Sequence, residues 1–188
     1  MIAVLYLLQQ YSQKTDDLLR WLCEDFLQMP PGTFRDAQVL RTEHGKPYLP
    51  DLPVEVSVSH TGRLFATLIA EDGVGPVGLD VQSMRTAPYE KIARRFFTEE
   101  EYDYVLRHGK NEFYRLWTRK EALTKYWGLP LLETAGKRPL VDAESIIDDF
   151  EGVKLTEFKL DTGIMAAAAW QADRMVELCS KEMNEKLF

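Results

Sequence analysis

The sequence places a helix-rich stretch between two groups of apolar strands, and this order limits the folds open to the chain. Pro88 opens the stretch, and Gly128 with Pro130 closes its longest helical pattern, which begins at Asn111. Glycine and proline commonly follow the end of a helix. Strands that are grouped, rather than alternating regularly with helices, indicate an α+β fold. A boundary near residues 83–88 predicts two halves, residues 1–84 and 85–188.

Apolar runs and alternating patterns predict the strands on both sides of this stretch. An amphipathic helix is predicted from about Thr15 to Gln28, and Thr98 with Glu101 fits a capping box at a later helix start. The predicted strands are Ile2–Leu8, Glu55–Ser59, Leu64–Ala70, Val77–Val81, Val153–Leu160, Ile164–Trp170 and Met175–Leu178, with a short extended piece at Gln38–Arg41.

Composition excludes several classes of protein. The 23 Lys and Arg against 30 Asp and Glu give a net charge of −7, which argues against nonspecific nucleic-acid binding. Two cysteines are too few for a disulfide framework or a zinc site. The apolar run Ile2–Leu8 is too short for a membrane span and has no basic region before it. We therefore expect a cytoplasmic protein with no membrane partner.

Two polar clusters lie in the first half. The segment Gly45-Lys46-Pro47-Tyr48-Leu49-Pro50 predicts a stiff, exposed corner that presents the Lys46 cation, although an ordinary loop before a strand has the same composition. The segment from Ser57 to Arg63 brings hydroxyls, His60 and an arginine to a strand end, which suits binding of phosphate oxygens. Adjacent strand residues such as Ser59 and His60 point to opposite faces, and no G-x-S-x-G motif is present, so an acyl hydrolase is disfavoured.

Two further clusters carry carboxylates. Asp80 and Gln82 lie two residues apart on a predicted strand, so both project from one face, where hard oxygen ligands suit Mg²⁺. A surface-facing polar pair is the alternative. On the long helix, Glu121 and Lys125 have the i, i+4 spacing of neighbours, and such a pair can be only a helix-stabilising contact of about 0.2–0.5 kcal/mol. Lys120 projects into the apolar stripe of this helix, where its charge needs a partner.

These clusters, in this order, resemble the Sfp-type 4′-phosphopantetheinyl transferases. The matching segments are GKPYLP, SVSHTGR, VGLDVQ, ARRFFTEEEY and LWTRKEALTKYWG, between Gly45 and Gly128. The aspartate strand followed by the W-x-x-K-E-A helix is the most specific part. The resemblance implies a 4′-phosphopantetheinyl transferase fold, a pseudo-dimer of two similar α+β halves with the coenzyme A site between them.

The resemblance also implies roles for individual residues. Asp80 and Glu121 would be Mg²⁺ ligands, with Gln82 as a third ligand, directly or through water. Lys125 would contact the reacting phosphate, and Glu121, or a water that it orients, would act as the base. Coenzyme A would also be bound by residues of the first half, namely Arg20, Lys46, Pro47, Ser59 and His60, with His60 counted among the catalytic residues.

The implied reaction moves the 4′-phosphopantetheine arm of coenzyme A to a serine of an acyl or peptidyl carrier protein and releases 3′,5′-ADP. Gln82 departs from the family pattern, because many relatives have glutamate there, and the region before Arg20 is short in cations. Two rival functions are a homologue that binds coenzyme A or the carrier without transfer, and a magnesium-dependent phosphohydrolase. The segment Arg94-Arg95-Phe96-Phe97 is a candidate docking patch for the carrier; the alternative is that the phenylalanines face the core and the arginines face water. Two fused halves favour a monomer.

Overall fold

The computed structural model describes residues 1–134, 136–137, 139–142, 145–160 and 163–183. In that part of the chain, twelve strands form two four-stranded sheets and two two-stranded pairs. The strands are β1 (Ile2–Gln9), β2 (Leu40–Arg41), β3 (Pro47–Tyr48), β4 (Val54–Thr61), β5 (Leu64–Glu71), β6 (Gly78–Ser83), β7 (Val141–Asp142), β8 (Ser145–Ile146), β9 (Asp149–Phe150), β10 (Val153–Lys159), β11 (Ile164–Gln171) and β12 (Glu177–Met183). The helices are α1 (Thr15–Phe26), α2 (Tyr89–Phe96), α3 (Glu99–His108), α4 (Lys110–Trp127) and α5 (Leu131–Thr134).

The first sheet has the strand order β12-β1-β5-β4, and the second has the order β6-β11-β10-β9. All pairings in these sheets are antiparallel except that of β1 with β12, which is parallel. The order of strands and helices along the chain confirms the predicted α+β class. None of the described helices is both long and apolar enough to cross a membrane.

The molecule has four layers, namely α1, the first sheet, the second sheet and α4, and an apolar cluster lies between each pair of neighbouring layers. Helix α1 packs on the outer face of the first sheet, where Leu18 and Leu22 lie in one cluster with Phe65. The inner faces of the two sheets share the central cluster. Helix α4 covers the outer face of the second sheet through residues such as Leu116 and Leu123. The strands at the middle of the stack, such as β5 and β11, are therefore buried on both faces.

Strand β11 carries four consecutive alanines at the middle of this stack. Ala166 and Ala168 belong to the central cluster between the sheets, whereas Ala167 and Ala169 belong to the cluster under α4. All four are at most 1% exposed. Side chains this small let the first sheet and helix α4 approach the strand closely from opposite sides.

The sheets do not separate at the predicted boundary after residue 84. Strand β6 comes before that boundary but pairs with β11 in the second sheet, and β12 comes near the end of the described chain but pairs with β1 in the first. Residues 1–84 therefore contribute β6 to the second sheet, and residues 85–188 contribute β12 to the first. The division into residues 1–84 and 85–188 and the pseudo-dimer both stay predictions.

Several predicted element ends differ from the observed ones, those of the last strand most of all. The last strand runs over Glu177–Met183 rather than Met175–Leu178, because its register is set by parallel pairing with Ile2–Leu8 of β1. Helix α1 ends at Phe26, two residues earlier than predicted, and Gln28 has a left-handed φ of 55°. The capping box at Thr98 is confirmed, because its side chain accepts from the Glu101 amide and the Glu101 side chain accepts from the Thr98 amide.

Candidate functional site

Helix α4 lies directly against strand β6 at Gly78. A Cβ atom on Gly78 would overlap the Ala122 carbonyl oxygen and would lie 2.7 Å from the Tyr126 amide nitrogen. Only glycine can occupy this position without displacing the helix backbone. The close approach brings the side of α4 that carries Glu121 and Lys125 next to the strand that carries Asp80.

Asp80 is buried at the contact between β6 and α4, with 6% of its surface exposed. Its Oδ1 accepts a hydrogen bond from the Ser59 hydroxyl at 2.8 Å and one from the Lys125 ammonium at 2.9 Å. Its Oδ2 is buried and has no hydrogen-bond partner among the described residues. A buried carboxylate oxygen without a partner is costly, so it points to a group that this site receives from outside the chain.

Glu121 faces Asp80 across the same contact. Burial raises the pKa of the Glu121 carboxyl, the negative charge of Asp80 raises it further, and the Lys125 ammonium opposes both effects. Two carboxylates and one ammonium therefore interact in a half-buried site contributed by a strand and a helix. A group whose pKa is shifted by burial and by a specific neighbouring charge is typical of functional sites.

The donor set at Asp80 and Glu121 fits a hard divalent cation. Mg²⁺ is commonly held by one or two carboxylates together with water and substrate phosphates, and the Oδ2 atom of Asp80 has the chemistry of such a ligand. In the described part of the chain, no group of three or more His, Cys, Asp and Glu side chains is arranged to hold a metal. The arrangement suits an ion held by two protein carboxylates and completed by a ligand.

Gln82, the predicted third ligand, lies on β6 two residues beyond Asp80. Alternation along the strand puts both side chains on one face. The Gln82 side chain is half-buried, and its amide nitrogen donates to the Ser83 carbonyl oxygen at 3.4 Å. Its role toward a metal stays a prediction.

Strand β4 is joined to β6 by a row of hydroxyl groups, which the sequence predicted as a phosphate-binding cluster and not as a link between two strands. In each contact a β4 hydroxyl oxygen accepts from a β6 amide: Ser57 from Leu79 at 2.9 Å, Ser59 from Val81 at 3.1 Å and Thr61 from Ser83 at 3.0 Å. We call this row the hydroxyl ladder. The signal was present in the sequence, because hydroxyl residues at positions i, i+2 and i+4 of a strand share one face.

Two predicted coenzyme A contacts, Lys46 and Pro47, lie where the turn after β2 enters β3. The sequence predicted that the Lys46 ammonium is presented at an exposed corner, and this was wrong. The side chain is half-buried, and its Nζ donates to the Val77 carbonyl oxygen at 2.9 Å. Burial lowers the pKa of Lys46, and the Glu55 charge opposes that effect. Pro47 is half-buried and pairs with Arg41 between β3 and β2. The lysine therefore holds the turn against the segment that leads into β6.

Two other predicted residues are not brought to Asp80. The Arg20 guanidinium donates to the Ala37 carbonyl oxygen at 2.8 Å and to the Asp17 carboxylate at 2.9 Å. His60 is exposed on the face of β4 opposite to Ser59. Among the described residues, neither side chain forms a hydrogen bond or an ion pair with Asp80, Glu121 or Lys125. Of the predicted phosphate contacts in the first half, Ser59 is the one that touches the carboxylate site.

Lys120 has the partner that its place in the apolar stripe requires. Its ammonium is 2.8 Å from Glu101 Oε1, and the two side chains are 3% and 0% exposed. The same carboxylate accepts from the Leu140 amide at 2.7 Å and from the Thr98 amide at 2.9 Å. The sequence predicts Glu101 only as part of the helix cap. In the structure Glu101 also anchors α4 through its buried contact with Lys120.

The arginine–phenylalanine segment of α2 is divided between solvent and core. Arg94 and Arg95 are exposed, and their guanidinium groups lie over the rings of Tyr102 and Phe96, respectively. Phe97 is buried, and Phe96 is half-buried with its ring 5.6 Å from that of Trp117. This face therefore presents two cations and little apolar surface.

Comparison with known proteins identifies a family for this chain. The model of the 4′-phosphopantetheinyl transferase superfamily matches residues 76–175, which include Asp80, Glu121 and Lys125. The chain therefore belongs to the 4′-phosphopantetheinyl transferase superfamily, and the predicted resemblance to its Sfp-type members is confirmed.

Several relatives carry that name. The chain is 37% identical over 98 residues to the 4′-phosphopantetheinyl transferase Sfp of Bacillus subtilis, a match that covers 50% of this chain and 42% of the relative. It is 34% identical over 97 residues to the transferase AcpT of Escherichia coli K12, covering 48% and 49% of the two chains. It is 33% identical over 121 residues to HetI of Nostoc, covering 59% and 48%. The match spans about half the length of these relatives.

Proposed function

We propose that this protein transfers the 4′-phosphopantetheine group of coenzyme A to a serine hydroxyl of an apo carrier protein and releases 3′,5′-ADP. The observation that carries the proposal is the meeting of Asp80, Glu121 and Lys125 where β6 contacts α4, inside the part of the chain that matches the superfamily. These groups suit a phosphorylated ligand that is bound through a divalent cation.

Asp80 and Glu121 would hold a magnesium ion, with Gln82 as a further ligand, directly or through water. The bound ion would supply charge neutralisation of the coenzyme A pyrophosphate. Lys125 would leave Asp80 for an oxygen of the phosphate under attack. Because its side chain is 28% exposed, it can turn toward a ligand, while Ser59 and the bound ion would remain as partners of the buried Asp80 carboxylate.

Glu121 would take the proton of the attacking serine, directly or through a water that it orients. A general base works best when its pKa lies near the working pH, and burial beside Asp80 raises the pKa of Glu121 in that direction. In the reaction the serine oxygen forms a bond to the phosphorus, the bond to the bridging pyrophosphate oxygen breaks, and 3′,5′-ADP leaves with that oxygen.

Coenzyme A would extend from this site over the first half of the chain. Arg20, Lys46, Pro47, Ser59 and His60 stay the proposed contacts, with His60 closest to a catalytic role by resemblance. Lys46 would keep its backbone contact to Val77 or exchange it for a phosphate oxygen. The exposed position of His60 leaves its ring available to a ligand.

The carrier would dock beside α2. Carrier proteins of this kind are generally acidic, whereas this chain has a net charge of −7, so docking needs a local basic surface. Arg94 and Arg95 are exposed and supply one. A monomer, a cytoplasmic location and the pseudo-dimer relation between residues 1–84 and 85–188 are further parts of the proposal.

The test is to incubate the protein with an apo carrier, coenzyme A and Mg²⁺ and to measure the intact mass of the carrier. We expect the carrier to gain one phosphopantetheine group, and to gain none when Mg²⁺ is removed by a chelator. A carrier mass that is unchanged under every metal condition would overturn the proposal. Cleavage of coenzyme A without any carrier would favour a phosphohydrolase, and binding without transfer would favour a non-enzymatic homologue.

A further inference from the structure

We infer that Ser59 is a positioning residue for the metal ligand Asp80: its hydroxyl holds Oδ1 so that Oδ2 is presented to the divalent cation. This assignment differs from a phosphate contact, which is the role that the resemblance gives to Ser59. It rests on the proposed function for the identity of the site.

The hydroxyl of Ser59 is fixed by two contacts. Its oxygen accepts from the Val81 amide at 3.1 Å, and its proton is directed to Asp80 Oδ1 at 2.8 Å. A serine hydroxyl has one proton to donate, so that proton is committed to the carboxylate. Because the residue is only 5% exposed, water does not compete freely for either contact.

The two oxygens of Asp80 are thereby made unequal. Oδ1 has two donors, Ser59 and Lys125, whereas Oδ2 has none among the described residues. When Lys125 turns to a phosphate oxygen, Ser59 remains as the donor that prevents the carboxylate from rotating. Groups that hold a metal ligand by a hydrogen bond typically contribute about 10–100-fold to metal affinity.

The hydroxyl ladder contains a matched control. Ser57 accepts from the Leu79 amide at 2.9 Å and is 1% exposed, so it makes the same kind of contact between the same two strands. In the described part of the chain, its hydroxyl does not hydrogen-bond to Asp80. Removing either hydroxyl takes one rung from the ladder, but only removal of the Ser59 hydroxyl frees the carboxylate.

The experiment compares Ser59→Ala with Ser57→Ala. Mn²⁺, which prefers the same oxygen ligands as Mg²⁺, is titrated into each protein with coenzyme A present, and the free ion is measured by electron paramagnetic resonance. We expect Ser59→Ala to weaken Mn²⁺ binding about 10–100-fold and Ser57→Ala to leave it within about twofold of wild type. The melting temperature without metal should fall in both variants, because each loses the acceptor of one β6 amide.

Equal Mn²⁺ affinities for Ser59→Ala and wild type, or equal losses in both variants, would overturn the inference. If Ser59→Ala does not fold, the comparison is made between Ser59→Cys and Ser57→Cys, since the near-isosteric thiol is a much weaker donor. Wild-type protein that binds Mn²⁺ and distinguishes the two variants but never modifies a carrier would overturn the proposed function alone. Wild-type protein that binds no Mn²⁺ would overturn both.

Discussion

At the scale of single residues, Asp80 and Glu121 are two carboxylates that repel each other in a half-buried site. We expect Glu121→Gln to reduce carrier modification at least about 100-fold, because it removes a proposed metal ligand and base. The same change should leave the melting temperature unchanged or higher, since it removes a repulsive charge. Initial rates by carrier mass, together with thermal unfolding, check both parts.

Glu133→Gln is the matched control for that prediction, because Glu133 is exposed on α5. It should keep the wild-type rate and melting temperature. A Glu121→Gln protein that works within a few-fold of wild type would mean that the site is assigned to the wrong carboxylate.

The Lys120–Glu101 pair is the second prediction at this scale. Removing one partner of a buried ion pair leaves an uncompensated charge, so Lys120→Met or Glu101→Gln should each cost about 3–5 kcal/mol of unfolding free energy. The double variant should lose less unfolding free energy than the sum of the two single losses, because the second change removes the charge that the first left unpaired. Urea unfolding of all four proteins measures this coupling.

An exposed pair serves for comparison. Arg174 and Asp173 are 3.5 Å apart and largely in solvent, so Asp173→Asn should change stability by less than about 1 kcal/mol. If Lys120→Met and Glu101→Gln lose no more unfolding free energy than Asp173→Asn, Lys120 does not anchor α4.

At the scale of elements, the packing of α4 on β6 decides whether the site forms. We expect Gly78→Ala to lower unfolding free energy by about 1–3 kcal/mol, the usual cost of overpacking, because the new methyl group overlaps the helix backbone. Carrier modification should fall as well, since α4 carries Glu121 and Lys125. Urea unfolding and transfer rates measure the two effects.

Gly73→Ala is the control for that substitution. A Cβ on Gly73 would lie 3.5 Å from the Met1 sulfur, which is an ordinary contact. This variant should therefore resemble wild type in both measurements. A Gly78→Ala protein with full stability and activity would show that α4 can shift away from β6 without disturbing the site.

At the scale of the whole molecule, the buried thiol of Cys23 makes global stability depend on alkaline pH. Burial raises the pKa of Cys23 from 9.0 to about 12. Above pH 9 the unfolded chain therefore loses this proton before the folded chain does. The contribution is fully present below pH 9 and is lost as pH rises toward 12, at about 1 kcal/mol per pH unit.

We expect the unfolding free energy of Cys23→Ala to change less between pH 9 and pH 11 than that of wild type, whatever its absolute value. Urea unfolding at several pH values measures the two slopes. Cys179→Ala, which removes an exposed thiol, should retain the wild-type slope. Parallel slopes for wild type and Cys23→Ala would contradict the prediction.

Sequence periodicity predicted most of the elements that build this molecule. The apolar runs identified strands β1, β5 and β11, and the helical pattern ending at Gly128 identified α4 to within one residue. These predictions were correct because the side chains of each of these elements largely decide where it begins and ends. The final strand was misplaced because its register comes from β1, which lies at the other end of the sequence.

The sequence by itself determined the α+β order, the family, and the placement of Asp80 on a strand and of Glu121 and Lys125 on one side of a helix. Only the tertiary structure decided that Lys120 pairs with Glu101, that Lys46 donates to Val77, and which Asp80 oxygen is free. The physical reason is that periodicity reports which face a residue occupies within its own element. Hydrogen-bond and ion partners come from other elements, so they are settled only when α4, β6 and β4 pack together.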